Sequence, residues 1–384
     1  MPEELQTRIY EIKTALDKNQ HLFLSAGLND GILGLSLFYL YFYEFSKDER
    51  ALNQISLYID QAINYITNSQ CEPHELIEFS DYLCFLNEKG FIDNKEALKY
   101  LKQLNPLIKT LFKTSIKEKD LDSLSGCIAI GHYYLRILHL IDYSDQLIQL
   151  INLIEQEAVL SDSGMFWYFK NAETKKTNIE LGIYHGVTGV IYFLASAYAK
   201  KIAQKTCLSM IHDAIFYLSG QKQKKDNTLF DIDALIHKRI AYQNLAYGDI
   251  GIGYVLFKTG KIIGCKQYIE EGIEILEHAA LFMDDKKEYI RDAELIYGSS
   301  GLLTIFSFFY SYNNSSLFLK AKIYWLSKTL DYNNNNTKWA GYETFINGYD
   351  DHIQLSFCHG LCGIGIALMA CQQEDFSYLR FLSY

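Results

Sequence analysis

The chain alternates short polar segments that contain glycine with long apolar runs, and this pattern predicts helical hairpins. Glycine pairs with a three-residue spacing begin at Gly31, Gly186, Gly248, Gly298 and Gly360, and an apolar run follows each pair. Glycine permits the backbone angles and close approaches of a turn, and the apolar run supplies a helix face that must be buried. Each pair therefore predicts a turn that leads into a buried helix.

Two weaker copies extend the series. Gly126 has Ala129 in place of the second glycine, and a further copy is expected near residues 75–80, because 95 residues separate Gly31 from Gly126. Apolar positions in segments such as 267–280 recur at spacings of three and four, which indicates amphipathic helices between the copies. The polar link 170–178 is expected to be an exposed loop.

These repeats predict seven helical hairpins and an all-α fold class. Repetition at a roughly fixed period is the signature of a repeat architecture. An α/α toroid, or barrel, explains why the helices after the glycines carry few charges, since an inner helix has neighbours on nearly every side. The Gly-x-x-Gly turns would then gather at one end, around one cavity. We expect a single domain over residues 1–384.

Composition argues against several functional classes. The formal net charge is -10, and nucleic-acid binding needs clustered Lys and Arg instead. No stretch approaches the roughly 20 apolar residues of a membrane span, and the first residues are charged and amphipathic, unlike a secretory leader. The eight cysteines mostly lie in apolar runs, as reduced buried thiols do. We expect a cytoplasmic protein without a nucleic-acid partner or a membrane span.

The motifs resemble those of a known family. With Tyr-His-Gly at 184–186, Tyr-Gly-Asp-Ile-Gly at 247–251 and the ending DFSYLRFLSY, the chain resembles the lanthionine synthetase C family over essentially its whole length. The resemblance implies an α/α toroid whose relatives bind zinc and add a cysteine of a dehydrated precursor peptide to dehydroalanine or dehydrobutyrine. It also implies two partners, the precursor peptide and a lanthipeptide dehydratase.

In that chemistry zinc forms a thiolate from a thiol whose pKa is about 8.5, and an acid protonates the enolate. The resemblance assigns the acid, base and positioning roles to Asp122, His185 and Tyr247. Structural alternatives stay open, because Asp122 and His185 suit helix caps and Tyr247 suits packing. Four residues are expected to line the peptide cavity: Tyr184, Tyr242, Asp249 and Tyr297. Asp249 also suits a turn or cap.

The metal ligands of the family are replaced in this chain. Ala246, Ile296 and Tyr297 stand where the resemblance places the zinc ligands, so no zinc cofactor is expected. Cys358 and His359 match the metal-binding motif of the family, but they stand at the start of the last hairpin, where relatives carry no ligand. A zinc site moved to Cys358 and His359 remains the alternative.

Three functions follow from these residues. The leading hypothesis is a lanthionine synthetase C-like protein of peptide maturation that binds a modified precursor peptide without the family zinc, either as a pseudoenzyme or with metal-free proton transfer by His185 and Asp122. The second is a zinc-dependent thioether cyclase that uses Cys358 and His359. The third is a carbohydrate-active α/α barrel with two acids, Asp122 and Asp249.

Overall fold

The structure is a computed structural model, and it describes residues 2–68, 71–170, 177–223, 227–235, 243–287, 289–345 and 350–382. Tyr242, one of the expected cavity residues, lies outside these ranges. The described residues form fifteen α-helices: α1 (Pro2–Asn19), α2 (Ile32–Ser46), α3 (Arg50–Thr67), α4 (Pro73–Glu88), α5 (Asn94–Glu118), α6 (Cys127–Ile137), α7 (Ser144–Gln156), α8 (Val187–Ala199), α9 (Gln204–Gly220), α10 (Asp249–Ile263), α11 (Lys266–Ala280), α12 (Ser299–Asn313), α13 (Ser316–Asp331), α14 (Asp351–Leu355) and α15 (Leu361–Gln373). None of the helices in these ranges has the length and apolar character needed to cross a membrane.

Six helices begin directly after a predicted glycine. They are α2, α6, α8, α10, α12 and α15, and their N-caps are Gly31, Gly126, Gly186, Gly248, Gly298 and Gly360. In α2 every residue from 32 to 42 is buried, whereas α3 buries only the stripe Ala51, Ile55, Tyr58 and Ala62. A helix after a glycine is therefore packed on most sides, as the scarcity of charge predicted.

The expected copy near residues 75–80 is misplaced, because these residues lie inside α4, which begins at Pro73. Proline suits the first helical position, where its missing N–H group is not needed. Two acidic side chains of α4 bind the loop before α2. Glu75 Oε1 accepts from the N–H of Gly27, and Glu78 Oε2 accepts from the N–H of Leu28, both at 2.6 Å. Helix α4 thus begins at a proline instead of a glycine turn, and its acids support the loop before α2.

Most of the helix-starting glycines are required for space and not for unusual backbone angles. Of the six, only Gly248 has a left-handed φ, of 79°. A Cβ on Gly186 would lie 2.3 Å from the carbonyl oxygen of Glu180, and one on Gly189 would lie 2.2 Å from that of Ile183. No side chain fits at such distances, so the turn before α8 folds onto its own backbone.

The chain divides into two compact units. The first comprises residues 1–82 and 280–379. In it α2 packs on α3, α12 packs on α13, and α15 contacts α1, α2 and α12. The last glycine-capped helix therefore packs against the N-terminal helix of the chain.

The second unit comprises residues 83–279 and 380–384. In it α6 packs on α7 and α8, and α8 packs on α9 and α10. Helices α10 and α11 cross closely, since a Cβ on Gly272 would lie 2.6 Å from the carbonyl oxygen of Gly253. The single domain expected over 1–384 stays a prediction.

Two short antiparallel pairs of strands also belong to the second unit. Strands β1 (Val159–Ser161) and β2 (Gly164–Phe166) form one pair, and β3 (Phe169–Lys170) and β4 (Thr177–Asn178) form the other. The prediction of an exposed loop over 170–178 is wrong at its ends, because Lys170 pairs with Thr177 and Asn178 is buried. Strands of two or three residues leave too little alternation to be recognised in a sequence.

Candidate functional site

One backbone hydrogen bond joins the loop before α6 to the loop before α8, and another joins the loop before α8 to the loop before α10. In the second unit Ser123 N donates to Tyr184 O at 3.0 Å, and Ile183 N donates to Ala246 O at 3.3 Å. Each donor stands three residues before its glycine and each acceptor two residues before the following one. These bonds bring residues about 60 positions apart to neighbouring places at the starts of α6, α8 and α10.

Asp122 lies in the loop before α6, four residues ahead of Gly126. Its Oδ1 atom accepts from the N–H groups of Leu124 and Ser125, each at 2.8 Å. This is the structural role that the sequence left open, and it fixes the carboxylate at the helix start. The second oxygen, Oδ2, lies 2.5 Å from Nδ1 of His185. Asp122 thus combines a helix-start contact with an imidazole contact.

In the Asp122–His185 pair the imidazole is more exposed than the acid. The side chain of Asp122 is 18% exposed and that of His185 is 36% exposed. Burial alone would raise the pKa of Asp122, but the hydrogen bond and charge of His185 hold it below its ordinary value. Burial lowers the pKa of His185, yet the hydrogen bond and charge of Asp122 raise it overall. An ionised Asp122 therefore accepts from Nδ1 of His185, which leaves the other ring nitrogen for proton transfer.

Two tyrosines flank the imidazole of this pair. The ring centroids of Tyr184 and Tyr247 each lie 6.4 Å from that of His185, at interplanar angles of 63° and 35°. Tyr184 is almost fully buried, whereas Tyr247 is partly exposed. The structure therefore brings together four of the predicted residues: Asp122, Tyr184, His185 and Tyr247.

Asp249, the first residue of α10, is buried and binds a neighbouring backbone segment. Its carboxylate accepts from the N–H of Leu229 at 2.9 Å and from that of Phe230 at 3.1 Å. This contact ties α10 to a segment about 20 residues earlier and is not a cap of its own helix, whose N-cap is Gly248. The carbohydrate alternative needs Asp249 as a working acid, and a carboxylate held by backbone N–H groups lends that alternative no support.

The residues at the expected zinc-ligand positions do not fit a zinc ion. Structural and catalytic zinc sites are built from Cys, His, Asp and Glu. Ala246 and Ile296 are buried and have no donor atom in their side chains. Tyr297 is partly exposed, and its ring stacks on that of His359 with a centroid distance of 5.9 Å and an angle of 10°. The absence of a family zinc nevertheless stays a prediction.

Cys358 and His359, the alternative zinc residues, contact different groups in the first unit. The Sγ atom of Cys358 donates to Asn29 Oδ1 at 3.1 Å, and burial raises the pKa of this thiol well above its ordinary range. His359 Nδ1 lies 2.6 Å from Oε2 of Glu294. Among the described residues, no three His, Cys, Asp or Glu side chains are grouped so that they could hold a metal ion.

Glu294 and Asn29 were not among the predicted site residues. Glu294 could have been found by position, because it stands four residues before Gly298, as Asp122 does before Gly126. Asn29 has no such signal. Its Nδ2 atom donates to Oε1 of Glu78 at 2.7 Å. Glu78 belongs to α4, the helix whose start was predicted at the wrong residues.

Comparison with known proteins places the chain in a family. Residues 23–289 and 278–379 match the family described as "Lanthionine synthetase C-like protein", and the chain belongs to this family. Among solved structures it is similar to nisin cyclase, with a TM-score of 0.74 and 18% sequence identity over 97% of this chain and 96% of that one. No curated protein sequence matches the chain. The predicted all-α toroid fold class and the family resemblance are confirmed.

Proposed function

We propose that this protein binds a dehydrated precursor peptide in lanthipeptide-type maturation and transfers protons through Asp122 and His185 without zinc. One observation carries the proposal, the 2.5 Å contact between Asp122 Oδ2 and His185 Nδ1 beside a partly exposed imidazole. Family membership supports a precursor peptide as the substrate class, and we propose that this peptide carries dehydroalanine and cysteine. A dehydratase would supply this peptide and is the second proposed partner.

The pair can catalyse the addition of a thiol to an alkene without a cofactor. The ring nitrogen of His185 that Asp122 does not bind accepts the thiol proton. The sulfur then forms a bond to Cβ of dehydroalanine while the Cα–Cβ π bond breaks, and the imidazolium returns the proton to Cα. The step is an isomerisation, because no atom is lost and no electron is exchanged with another reagent. Asp122 stabilises the imidazolium, and positioned acid–base groups typically contribute about 10²–10⁴-fold to a rate.

Tyr247 and Tyr184 are proposed to frame the peptide at this imidazole. An aromatic ring offers a large and rigid contact surface, and Tyr247 is the more exposed of the two. Tyr297 belongs to the first unit, and its role as a cavity residue stays a prediction.

Single-turnover kinetics test the proposal. The probe is a synthetic peptide with one dehydroalanine and one cysteine, and loss of its free thiol and formation of the thioether are followed by mass spectrometry. His185→Asn should reduce the accelerated rate by about 10²-fold or more, since it removes the proton carrier. His212→Asn is the matched control, because His212 is exposed on α9 and contacts Tyr268. Equal rates for His185→Asn and wild type would contradict the assignment of His185.

A further inference from the structure

Asp120 lies two residues before Asp122 and binds the backbone of that residue. The Oδ1 atom of Asp120 accepts from the N–H of Asp122 at 3.1 Å. Asp122 in turn accepts from the N–H groups of Leu124 and Ser125 through its own Oδ1 atom, and its Oδ2 atom contacts His185. Two successive side chains therefore fix the segment that carries the carboxylate of the Asp122–His185 pair.

The main-chain carbonyl of Asp120 has a separate role that needs no acid. It accepts from the N–H of Cys127, the first residue of α6, at 2.9 Å. Ser25 O accepts in the same way from the N–H of Ile32, the first residue of α2, at 3.0 Å. Since a serine supports a helix start equally well, this carbonyl bond does not account for the acid at position 120.

The side-chain bond of Asp120 recurs in the turn before α12. Asp292 stands six residues before Gly298, as Asp120 stands six residues before Gly126. The Oδ1 atom of Asp292 accepts from the N–H of Glu294 at 3.1 Å. In both turns an aspartate therefore binds the backbone of an acid that stands four residues before the glycine.

The other four glycine turns have neither an aspartate six residues before the glycine nor an acid four residues before it. Their residues at these two places are Ser25 and Gly27, Glu180 and Gly182, Tyr242 and Asn244, and Gln354 and Ser356. Gln354 instead binds the backbone of Thr344, through Oε1 at 2.9 Å and through Nε2 at 3.3 Å. An aspartate at the sixth place therefore accompanies an acid at the fourth, which points to a role in holding that acid.

The carboxylate of Asp120 also acts on His185 through its charge. Burial lowers the pKa of His185, whereas the hydrogen bond and charge of Asp122 raise it, and the charges of Glu180 and Asp120 raise it further. The titratable groups that act on or contact this imidazole are Asp120, Asp122, Glu180, Tyr184 and Tyr247. Burial and the charge of Asp122 raise the pKa of Asp120. An asparagine would accept from the same N–H group without this repulsion between acids.

We propose that Asp120 is a positioning residue of the proton-transfer site, which holds Asp122 so that its Oδ2 atom points to His185. This inference rests on the proposed function. The side-chain oxygen of Asp120 fixes the backbone of Asp122. The charge of Asp120 favours the protonated imidazole that forms when the thiol gives up its proton. Asp120 itself makes no bond to the peptide.

Two substitutions separate the acceptor of Asp120 from its charge. Asp120→Ala removes both, so the single-turnover rate with the dehydroalanine and cysteine peptide should fall at least about tenfold. Asp120→Asn keeps an oxygen for the N–H of Asp122, so the maximal rate should stay close to that of wild type while the midpoint of the pH–rate profile moves to lower pH. Asp142→Ala is the matched control, because Asp142 is exposed and its Oδ1 atom accepts from the N–H of Ser144, two residues later, at 2.9 Å. An Asp120→Ala rate equal to the control rate, or an Asp120→Asn protein as slow as Asp120→Ala, would overturn the assignment.

The proton on Nδ1 of His185 gives a readout that a purely structural role would not change. A hydrogen bond to a carboxylate shifts such a proton far downfield in the NMR spectrum, so the signal should move or disappear in Asp120→Ala and persist in Asp120→Asn. A folded Asp120→Ala protein that keeps the signal, with a lower melting temperature as its only change, would overturn the proposal. Wild type no faster than the spontaneous reaction would instead defeat the proposed function, and the NMR signal would still decide whether Asp120 positions Asp122.

Discussion

Asp122 shows how one side chain can serve the fold and the site together. One oxygen binds the backbone at the start of α6, and the other binds His185. The sequence and the family resemblance identified both residue types and their positions. Their contact could not be predicted, because it depends on a backbone hydrogen bond between loops about 60 residues apart. The same limit hid Glu294, although its place before Gly298 matches that of Asp122.

The pH dependence of thiol addition should report on the Asp122–His185 pair. The base must be neutral to accept a proton, so the rate should rise with pH through the His185 pKa, which Asp122 raises above its ordinary value. Asp122→Asn removes that charge, so the midpoint should move to lower pH while the maximal rate falls. A pH–rate profile of both proteins measures the shift. An unchanged midpoint would contradict the coupling of the two residues.

Glu78 should make the protein less stable as the pH rises. Burial raises its pKa to about 8 and outweighs the N–H groups of Leu28 and Asn29, which lower it. The stabilising contribution of the neutral acid is complete below its unfolded pKa of about 4.3 and is lost as the pH rises through the folded value. Urea unfolding at pH 5 and pH 8 should therefore show a larger loss for wild type than for Glu78→Gln, by more than about 1.4 kcal/mol.

The exposed Glu270 provides the control for this comparison. Glu270→Gln should keep the pH dependence of wild type, because an exposed carboxyl has nearly the same surroundings in the folded and unfolded states. If Glu78→Gln and Glu270→Gln lose equal stability between the two pH values, Glu78 is not the group responsible.

At the scale of the helix, the glycine-capped starts were predicted from the sequence because glycine and a following apolar run are both local signals. Six of the seven copies begin a helix at the predicted place. The seventh, α4, begins with Pro73 and has no glycine before it. The residue at which this helix begins could therefore not be predicted from the sequence. The short strands β1 to β4 were missed for the related reason that they are too brief to show a period.

Gly189, in the first turn of α8, should be required for packing. Gly189→Ala would place a Cβ 2.2 Å from Ile183 O and 2.3 Å from Ser123 Oγ, so it should destabilise the protein by about 1–3 kcal/mol. Gly220→Ala is the matched control, because no atom lies within 4 Å of its added Cβ, and it should be neutral or stabilise α9 by up to about 1 kcal/mol. Chemical denaturation measures the unfolding free energy of both variants. Equal changes in that free energy would contradict a requirement for space at Gly189.

At the scale of the whole chain, both units repeat the same bond between loops, and in the first unit it joins the last hairpin to the first. Phe357 N donates to Asn29 O within the first unit, in the same positions that Ser123 and Tyr184 occupy in the second. Residues 380 and 381 also contact helices of the second unit. Arg136 donates to Arg380 O at 2.7 Å, and the ring of Phe381 packs edge-on against Phe85 at 5.1 Å.

This anchoring predicts that the C-terminal segment stabilises the second unit. Phe381 is 1% exposed, so Phe381→Ala should cost about 3–5 kcal/mol of unfolding free energy. Phe216→Ala is the control, because Phe216 is 63% exposed on α9 and should change stability by no more than about 0.5 kcal/mol. Thermal or urea unfolding compares the two variants. A Phe381→Ala protein as stable as Phe216→Ala would show that the terminus contributes little.

The metal dependence of thioether formation tests the central claim most directly. The measurement is the single-turnover rate for the dehydroalanine and cysteine peptide, with protein freed of metal by a chelator and then with zinc restored, in wild type and His185→Asn. The account predicts that metal-free wild type keeps its full rate and that only His185→Asn loses it. A rate that falls to the spontaneous value on chelation and returns with zinc would contradict proton transfer by Asp122 and His185 alone.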